Sequence, residues 1–372
     1  MRHRERVTLR VLIAPDSFKS TLGAAEAAAA LAAGWRQVRP ADDVRVLPLA
    51  DGGEGTVAAL AAAAPDGVLH KATVGGPAGS PIRVPWLELA DGTAVVELAA
   101  CCGLPLLPRP DPLGASTRPL GELIVHVLGF GVPRLLVGLG GSASTEGGVG
   151  ALQALGARFT GTDGRELGPG GVALRHLASV DASGLPPRPP GGVELLTDVT
   201  NPLLGPSGAA AIFGPQKGAT LADVAVLAAG LERLHTVVGV PDGPGCGAAG
   251  GTSYGLAAVW GARIVPGAEH LMAATGFGPT LADRDLLITG EGSFDAQSLG
   301  GKLVGTALAA AARAAVPAVV VAGRVVRDEI GDVDAVSLTE VSGSAAAALA
   351  EPARWLTEVG RRLASRWSRS GH

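Results

Sequence analysis

The chain has 372 residues, of which 47% are hydrophobic and 17% charged, and its formal net charge at pH 7 is −4. This composition is typical of a globular protein with a large core and excludes a disordered chain. The low net charge and an aromatic content of 3% give no indication of a surface that binds nucleic acid.

The cysteines and the apolar runs indicate in which cellular compartment the protein is expected. Cys101, Cys102 and Cys246 are odd in number and lack zinc-site or disulfide-framework spacing, which predicts a reducing cytoplasm. The apolar run near the N-terminus is too short for a signal peptide. The most apolar long stretch, residues 306–323, is interrupted by an arginine and a proline. It therefore predicts a helix followed by a buried strand, not a membrane span.

Short apolar strands recur along the chain, each followed by a polar or glycine-rich turn. In chain order they are predicted at 11–14, 44–49, 134–137, 193–196, 285–288 and 316–321. Their alternation with helical stretches predicts an α/β fold with parallel sheets. The segment 75–112 is rich in proline and alternates in polarity at 93–98, which predicts antiparallel or mixed strands there.

This pattern predicts two α/β domains. Residues 1–75 and 265–372 combine into one discontinuous domain with a doubly wound parallel sheet. Residues 76–264 form an inserted α/β domain with a mixed sheet.

In an open parallel sheet, the loops after the strands line the ligand crevice, and helix N-termini there can bind phosphate. The first such loop, PDSFKS, holds Asp16, Ser17 and Lys19. It is either a helix N-cap with a surface lysine or an anion site, since a lysine in the first helical turn opposes the helix dipole.

Two further loops carry carboxylates. Asp51-Gly52-Gly53-Glu54 places two acids within four residues, which suits either a metal or substrate site or a plain turn. Asp198 follows a predicted strand and has Asn201 nearby, so the pair could hold Mg²⁺ or accept a proton, or could form an Asx-turn before a proline.

The segment 138–143 matches the spacing of a dinucleotide fingerprint, which keeps an NAD-dependent oxidoreductase as an alternative. Glycines 147 and 148 break the helix that should follow, so a substrate or phosphate loop is the preferred interpretation. That loop consists of Gly140, Gly141 and Ser142. Lys217 in FGPQKG is another lysine flanked by glycine.

The last of these loops, ITGEGSFDAQSLGGK, follows the strand predicted at 285–288. It combines glycines with two acids and a lysine, a set suited to wrapping phosphate and recruiting metal. The residues concerned are Gly290, Glu291, Gly292, Asp295 and Lys302.

The chain resembles the bacterial glycerate kinase family at segments spread over nearly its whole length. They are IAPDSFKST, LADGGEGTV, STRPLGELI, VGLGGSAST, GALQALGARF, TDVTNPLLGPSGAAAIFGPQKGA, AAGGTSYGLAA and LLITGEGSFDAQSLGGK. The resemblance implies ATP- and Mg²⁺-dependent phosphorylation of D-glycerate, to 2-phosphoglycerate or alternatively 3-phosphoglycerate. It also implies a flavodoxin-like domain, a second α/β domain with the active site in the cleft between them, and a cytoplasmic monomer or homodimer without nucleic-acid or membrane partners.

Three sites, with five residues in all, depart from the pattern of the resembling family. Thr145-Glu146 stands where relatives usually have Asn-Asp, Ser293 where they often have arginine, and Cys101-Cys102 where they have small residues. These departures bear on the acceptor and on efficiency. A non-catalytic nucleotide or sugar-acid sensor is a further alternative, although the retained carboxylates argue against it.

The residues and the resemblance together give a mechanistic hypothesis. Asp198 and Glu291 hold Mg²⁺, with Asp51 and Glu54 as further candidates. Asp295 or Asp16 accepts the proton of the glycerate hydroxyl. Lys19 and Lys302, together with the glycine loops, bind the phosphates. The glycerate carboxylate is bound by Gly140, Gly141 and Ser142, or by Lys217.

Overall fold

The computed structural model describes residues 8–18, 21–77, 79–300 and 302–369. The chain divides into two compact units. The first comprises Met1–Ala50, Ala58–Pro65 and Ala268–His372, and the second comprises Asp51–Val57 and Asp66–Gly267. Within the described residues, no helix combines the length and the apolar character that a membrane crossing requires.

Thirteen strands lie within the described residues. They are β1 Arg10–Ile13, β2 Asp43–Val46, β3 Val68–Gly75, β4 Pro81–Glu88, β5 Ala94–Glu97, β6 Leu135–Gly138, β7 Arg158–Gly161, β8 Leu177–Asp181, β9 Val193–Leu196, β10 Arg263–Val265, β11 Leu286–Phe294, β12 Ala318–Val325 and β13 Ala335–Ser337.

The same residues form fifteen α-helices. They are α1 Ala24–Val38, α2 Thr56–Ala63, α3 Ala99–Cys102, α4 Arg118–Leu128, α5 Val149–Ala154, α6 Ala209–Phe213, α7 Leu221–Val238, α8 Ala248–Trp260, α9 Gly267–Ala274, α10 Phe277–Ala282, α11 Ala296–Leu299, α12 Leu303–Arg313, α13 Leu338–Ser342, α14 Ala345–Ala350 and α15 Pro352–Arg369.

The first unit is built on a five-stranded sheet in the order β2-β1-β11-β12-β13, and every strand pair in it is parallel. This order corresponds to the 2-1-3-4-5 arrangement of flavodoxin-like folds. The predicted flavodoxin-like, parallel α/β sheet is therefore confirmed.

Helices cover both faces of this sheet because successive strand residues point to opposite sides. Val11 and Ile13 of β1 belong to the apolar cluster that includes Leu31 and Trp35 of α1 and residues of α15. Leu12, between them in sequence, belongs to the cluster formed with α10 and α12. The sheet is thus doubly wound, as the alternation of strands and helices predicted.

The second unit contains a six-stranded mixed sheet in the order β3-β4-β5-β6-β9-β10. The pairs β3–β4 and β4–β5 are antiparallel, whereas β5, β6, β9 and β10 run parallel to one another. A separate antiparallel pair is formed by β7 and β8. The predicted mixed sheet is confirmed, and its core is one large apolar cluster shared with α3 to α8.

The predicted domain bounds differ from the observed division, because residues 51–57, 66–75 and 265–267 belong to the second unit. Residues 68–75, which the prediction placed in the discontinuous domain, form β3 and pair along their whole length with β4. They belong to the second unit because this hairpin is closed by a short turn, which keeps both strands in one sheet.

Candidate active site

Candidate residues of the first unit meet at the carboxyl ends of β1 and β11. The chain leaves these two neighbouring strands in opposite directions, and ligands of open α/β sheets bind at such switch points. The backbone N–H of Asp16 donates to the carbonyl of Gly290 at 2.8 Å. The Asp16 carboxylate accepts from the N–H of Ser17 at 2.6 Å. Asp16, Ser17 and Gly290 therefore lie together, while Lys19 lies outside the described residues.

The prediction of a glycine-rich loop after residue 288 is wrong, because β11 continues through this segment to Phe294. A Cβ built on Gly290 would lie 1.9 Å from the carbonyl oxygen of Val321 on β12. Glycine is therefore required here by close strand packing, and it need not wrap a phosphate. The half-buried Glu291 and Gly292 lie in the last part of β11, which pairs with β12 and extends beyond the pairing with β1.

Asp295 ends this strand and caps the next helix. Its Oδ1 accepts from the backbone N–H groups of Gln297 at 2.9 Å and Ser298 at 3.3 Å. Lys302 is exposed at the N-cap position of α12, and its Nζ donates to the Gln297 side chain at 3.3 Å. The acid and the lysine thus border the same one-turn helix, α11.

The candidate residues of the second unit lie at the carboxyl ends of β5, β6 and β9. The N–H of Gly140 donates to the carbonyl of Gly52 at 3.0 Å. A Cβ on Gly140 would lie 2.4 Å from the Cα of Gly53, and one on Gly52 would lie 2.6 Å from the carbonyl of Leu196. Close backbone packing therefore requires glycine at 52 and 140, and it brings loops 51–54 and 139–142 to the end of β9.

The polar residues of these loops also have local roles. Asp51 accepts the N–H of Gly53 at 2.8 Å, which forms an Asx-turn, and Glu54 is exposed. Asp198 is half-buried just after β9, and the side-chain amide of Asn201 donates to the carbonyl of Ser207 at 2.8 Å. In the part of the chain that the structure describes, no three acidic, histidine or cysteine side chains are placed to share one metal ion.

Glu97, which the sequence analysis did not single out, organises the Asp51 loop. It is 5% exposed at the end of β5, and its two carboxylate oxygens accept from the N–H groups of Gly55 at 2.8 Å and Val57 at 3.1 Å. It therefore caps the N-terminus of α2 from a neighbouring strand. Burial raises the pKa of this carboxyl above its usual value. In the sequence, the role of Glu97 is indicated only by its position as a charged residue inside the apolar run 94–98.

Glu97→Gln is expected to lower the free energy of unfolding by about 1–2 kcal/mol at pH 5. The reason is that the NH₂ group of the glutamine would face the backbone N–H of Gly55 or Val57, which then loses its acceptor. A raised pKa means that this carboxyl's contribution is present below its unfolded pKa and is lost as pH rises through the folded pKa. The difference between wild type and variant should therefore shrink toward pH 8, as urea unfolding at both pH values can measure. A difference that grows with pH would contradict this account.

Lys217 lies beneath the loop formed by residues 139–145 and is only 3% exposed. Its Nζ donates to the hydroxyl of Ser142 at 2.9 Å and to the carbonyl of Ser144 at 2.5 Å. Burial lowers the pKa of the amine to about 7. Lys217 thus supports the loop from inside, while Gly141 stands exposed with a φ of 75°.

Glu146, one of the departures from the family pattern, is fully enclosed and has a structural role. Its Oε1 accepts from Ser116, from the backbone and hydroxyl of Thr117, and from the N–H of Gly150, at 2.6 to 3.1 Å. Its Oε2 accepts from the N–H of Gly170 at 3.0 Å. Burial raises the pKa of the carboxyl. Ser293, the second departure, is exposed on β11.

The segment 138–143 does not have the structure of a dinucleotide-binding turn. Such a turn opens directly into a helix whose N-terminus meets the pyrophosphate. Here α5 begins only at Val149, after two glycines with left-handed backbone at 147 and 148. The geometry therefore gives no support to the NAD-dependent alternative.

Comparison with known proteins identifies the family of the chain. The profile of the glycerate kinase family matches residues 11–368. Glycerate kinase of Bacillus subtilis is 44% identical over 331 residues, which cover 86% of each chain. Glycerate 2-kinase of Escherichia coli is 43% identical over 305 residues, 79% of this chain and 80% of the relative.

A solved structure agrees as well. A crystal structure described as glycerate kinase 2 from Salmonella typhimurium LT2 superposes with a TM-score of 0.80 at 36% identity, covering 97% of this chain and 98% of its own. The resemblance predicted from the sequence motifs is confirmed, and the chain belongs to the glycerate kinase family.

Proposed function

We propose that this protein transfers the γ-phosphoryl group of ATP to the 2-hydroxyl of D-glycerate, with Mg²⁺, giving 2-phosphoglycerate and ADP. The observation that carries the proposal is the match of residues 11–368 to this family, in a chain whose candidate acids lie at or after the ends of strands. The choice of the 2-position is supported by the relative named glycerate 2-kinase.

The donor set suits Mg²⁺ held jointly by protein and nucleotide. The described residues provide carboxylate oxygens, the ligands that Mg²⁺ prefers, but no cage of three or more acids. Mg²⁺ is commonly bound through one or two carboxylates together with substrate phosphates. We assign this role to Asp198 and Glu291, with Asp51 and Glu54 as the remaining candidates. When bound, the ion neutralises charge on the phosphates.

The remaining polar residues are assigned by their place in the fold. Lys302, exposed beside α11, and Lys19 would neutralise phosphate charge, aided by Ser17 at the β1–β11 switch point. Asp295 holds its helix cap with one oxygen, and we assign its carboxylate as acceptor of the hydroxyl proton, with Asp16 as the alternative. The exposed Gly141 and its neighbour Ser142 would receive the glycerate carboxylate.

Asp198→Asn is expected to raise the Mg²⁺ concentration needed for half-maximal activity by about tenfold, because a neutral amide is a weaker ligand than a carboxylate. Glu54→Gln is the control, since Glu54 is exposed and is only a secondary candidate. Activity at increasing Mg²⁺ concentration measures both. If Glu54→Gln changes the requirement and Asp198→Asn does not, the ligand assignment moves to the Asp51 loop.

The proposed function is tested by ADP release from ATP and Mg²⁺ with D-glycerate, against L-glycerate, glycerol and no acceptor, and the product is identified by NMR. Release that requires both D-glycerate and Mg²⁺, with phosphate on C2, is the expected result. Phosphate on C3 would overturn the regiochemistry alone. Folded protein that binds glycerate but never releases ADP would favour the sensor.

A further inference from the structure

The environment of Lys217 matches a neutral amine. A neutral –NH₂ group has two N–H donors, and the two acceptors on Nζ, the Ser142 hydroxyl and the Ser144 carbonyl, satisfy both. An ammonium would carry a third N–H and a full charge into a site that is 3% exposed. Such a charge is costly without a nearby anion.

The charged neighbours of Lys217 do not supply that anion. Within the described chain, no carboxylate is recorded in an ion pair with Lys217, and the titratable group acting on it is the Cys102 thiol of α3, itself 1% exposed. Glu146, on the same loop as Ser142, directs both oxygens to Ser116, Thr117, Gly150 and Gly170. An anion that stabilises the charged form of this amine would therefore have to come from a ligand.

The loop above Lys217 has a surplus of donors. Because Ser142 accepts the bond from Lys217, its hydroxyl hydrogen can be donated elsewhere. The hydroxyls of Ser144 and Thr145 are fully buried without a partner among the described atoms. Unpartnered buried hydroxyls are rare, and donors of this kind suit an anion.

We propose that Lys217 is a positioning residue whose charge follows the occupancy of the loop at residues 140–145, so that binding of D-glycerate at this loop places a proton on the buried amine. The inference rests on the proposed function for the identity of the anion. The step is a protonation: solvent or buffer gives one proton to the –NH₂ group, which becomes –NH₃⁺ beneath the bound carboxylate. The resulting charge holds the loop and its ligand together.

The test is a calorimetric titration of the full chain with D-glycerate in the presence of ADP and Mg²⁺, in HEPES and in Tris, whose heats of ionisation differ. From a free-state pKa of about 7, uptake should approach roughly 0.9 proton at pH 8 and fall to roughly 0.1 at pH 6. Uptake at pH 8 appears as a binding heat that depends on the buffer. Binding with equal heats in both buffers would overturn the inference.

Two variants identify the group that takes the proton. Lys217→Arg keeps a permanent charge, so binding should persist while proton uptake at pH 8 disappears. Cys102→Ser removes the one titratable neighbour and should leave uptake unchanged; loss of uptake would assign the proton to the thiol and refute the inference. Thermal unfolding confirms that both variants fold. A chain that neither binds nor phosphorylates D-glycerate would refute the proposed function, whereas normal phosphorylation without proton uptake would refute only the role of Lys217.

Discussion

Asp295→Asn is expected to lower turnover at least about 100-fold, the usual effect of losing a general base, while the free energy of unfolding changes by less than about 1 kcal/mol. The two effects separate because Asp295 has an observed role as a helix cap and a proposed role as the proton acceptor. Its Oδ1 caps α11 through Gln297 and Ser298, and an asparagine oxygen can do the same. Only the negative charge, needed to accept the glycerate proton, is lost.

Matched variants distinguish a base from a cap. Asp295→Ala removes both functions, so it should match the low turnover of Asp295→Asn and add a loss of about 1 kcal/mol in stability. Steady-state kinetics and urea unfolding measure the two properties separately. If Asp295→Asn retains most of its activity and Asp16→Asn does not, Asp16 is the base.

Glu146→Ala should give the largest loss of stability, about 3–5 kcal/mol. It creates a buried cavity and leaves several hydrogen-bond donors without an acceptor. The carboxylate collects N–H and O–H groups from the start of α4, from α5 and from the segment before residue 171. Removing it leaves Thr117, Gly150 and Gly170 without their acceptor. Urea unfolding of the two proteins gives the difference directly.

Glu146→Gln is the matched control, because it keeps an oxygen for the donors on Oε1 and disturbs only the contact with Gly170. It should lower stability by about 1–3 kcal/mol. A Glu146→Ala protein that is stable but has switched its acceptor would show instead that this position governs substrate choice. The structure gives no support to that reading, since the side chain is 1% exposed.

Strands of both units could be predicted where a short apolar run ends in a polar turn. The strand predicted at 193–196 matches β9 residue for residue. The prediction of a strand at 285–288 gave the wrong end, because glycines and acids suggested a loop where β11 continues to Phe294. Gly290 belongs to the strand because the carbonyl of Val321 on β12 packs against it too closely for a side chain. Local sequence patterns do not reveal that neighbour.

Candidate site residues were predictable where an acid follows a strand, as with Asp16 and Asp198. The structural roles of Glu97 and Glu146 were not predicted because they depend on partners as far as 42 and 29 positions away in the chain. A single carboxylate in an apolar stretch indicates a buried polar contact, but sequence alone does not reveal which backbone N–H groups it receives. The burial of Lys217 was hidden for the same reason.

The position of β1 in its sheet has a consequence for the synthesis of the protein. β1 is an inner strand between β2 and β11, and Arg10 pairs with Asp285, 275 residues later. At 5–20 residues per second, the ribosome needs roughly 14–55 s to produce that partner after Arg10 emerges. The second unit, almost continuous in sequence, can fold within this interval, while the backbone groups on one edge of β1 remain without their partner strand β11. We therefore expect a chaperone to protect β1 on the nascent chain until β11 has been made.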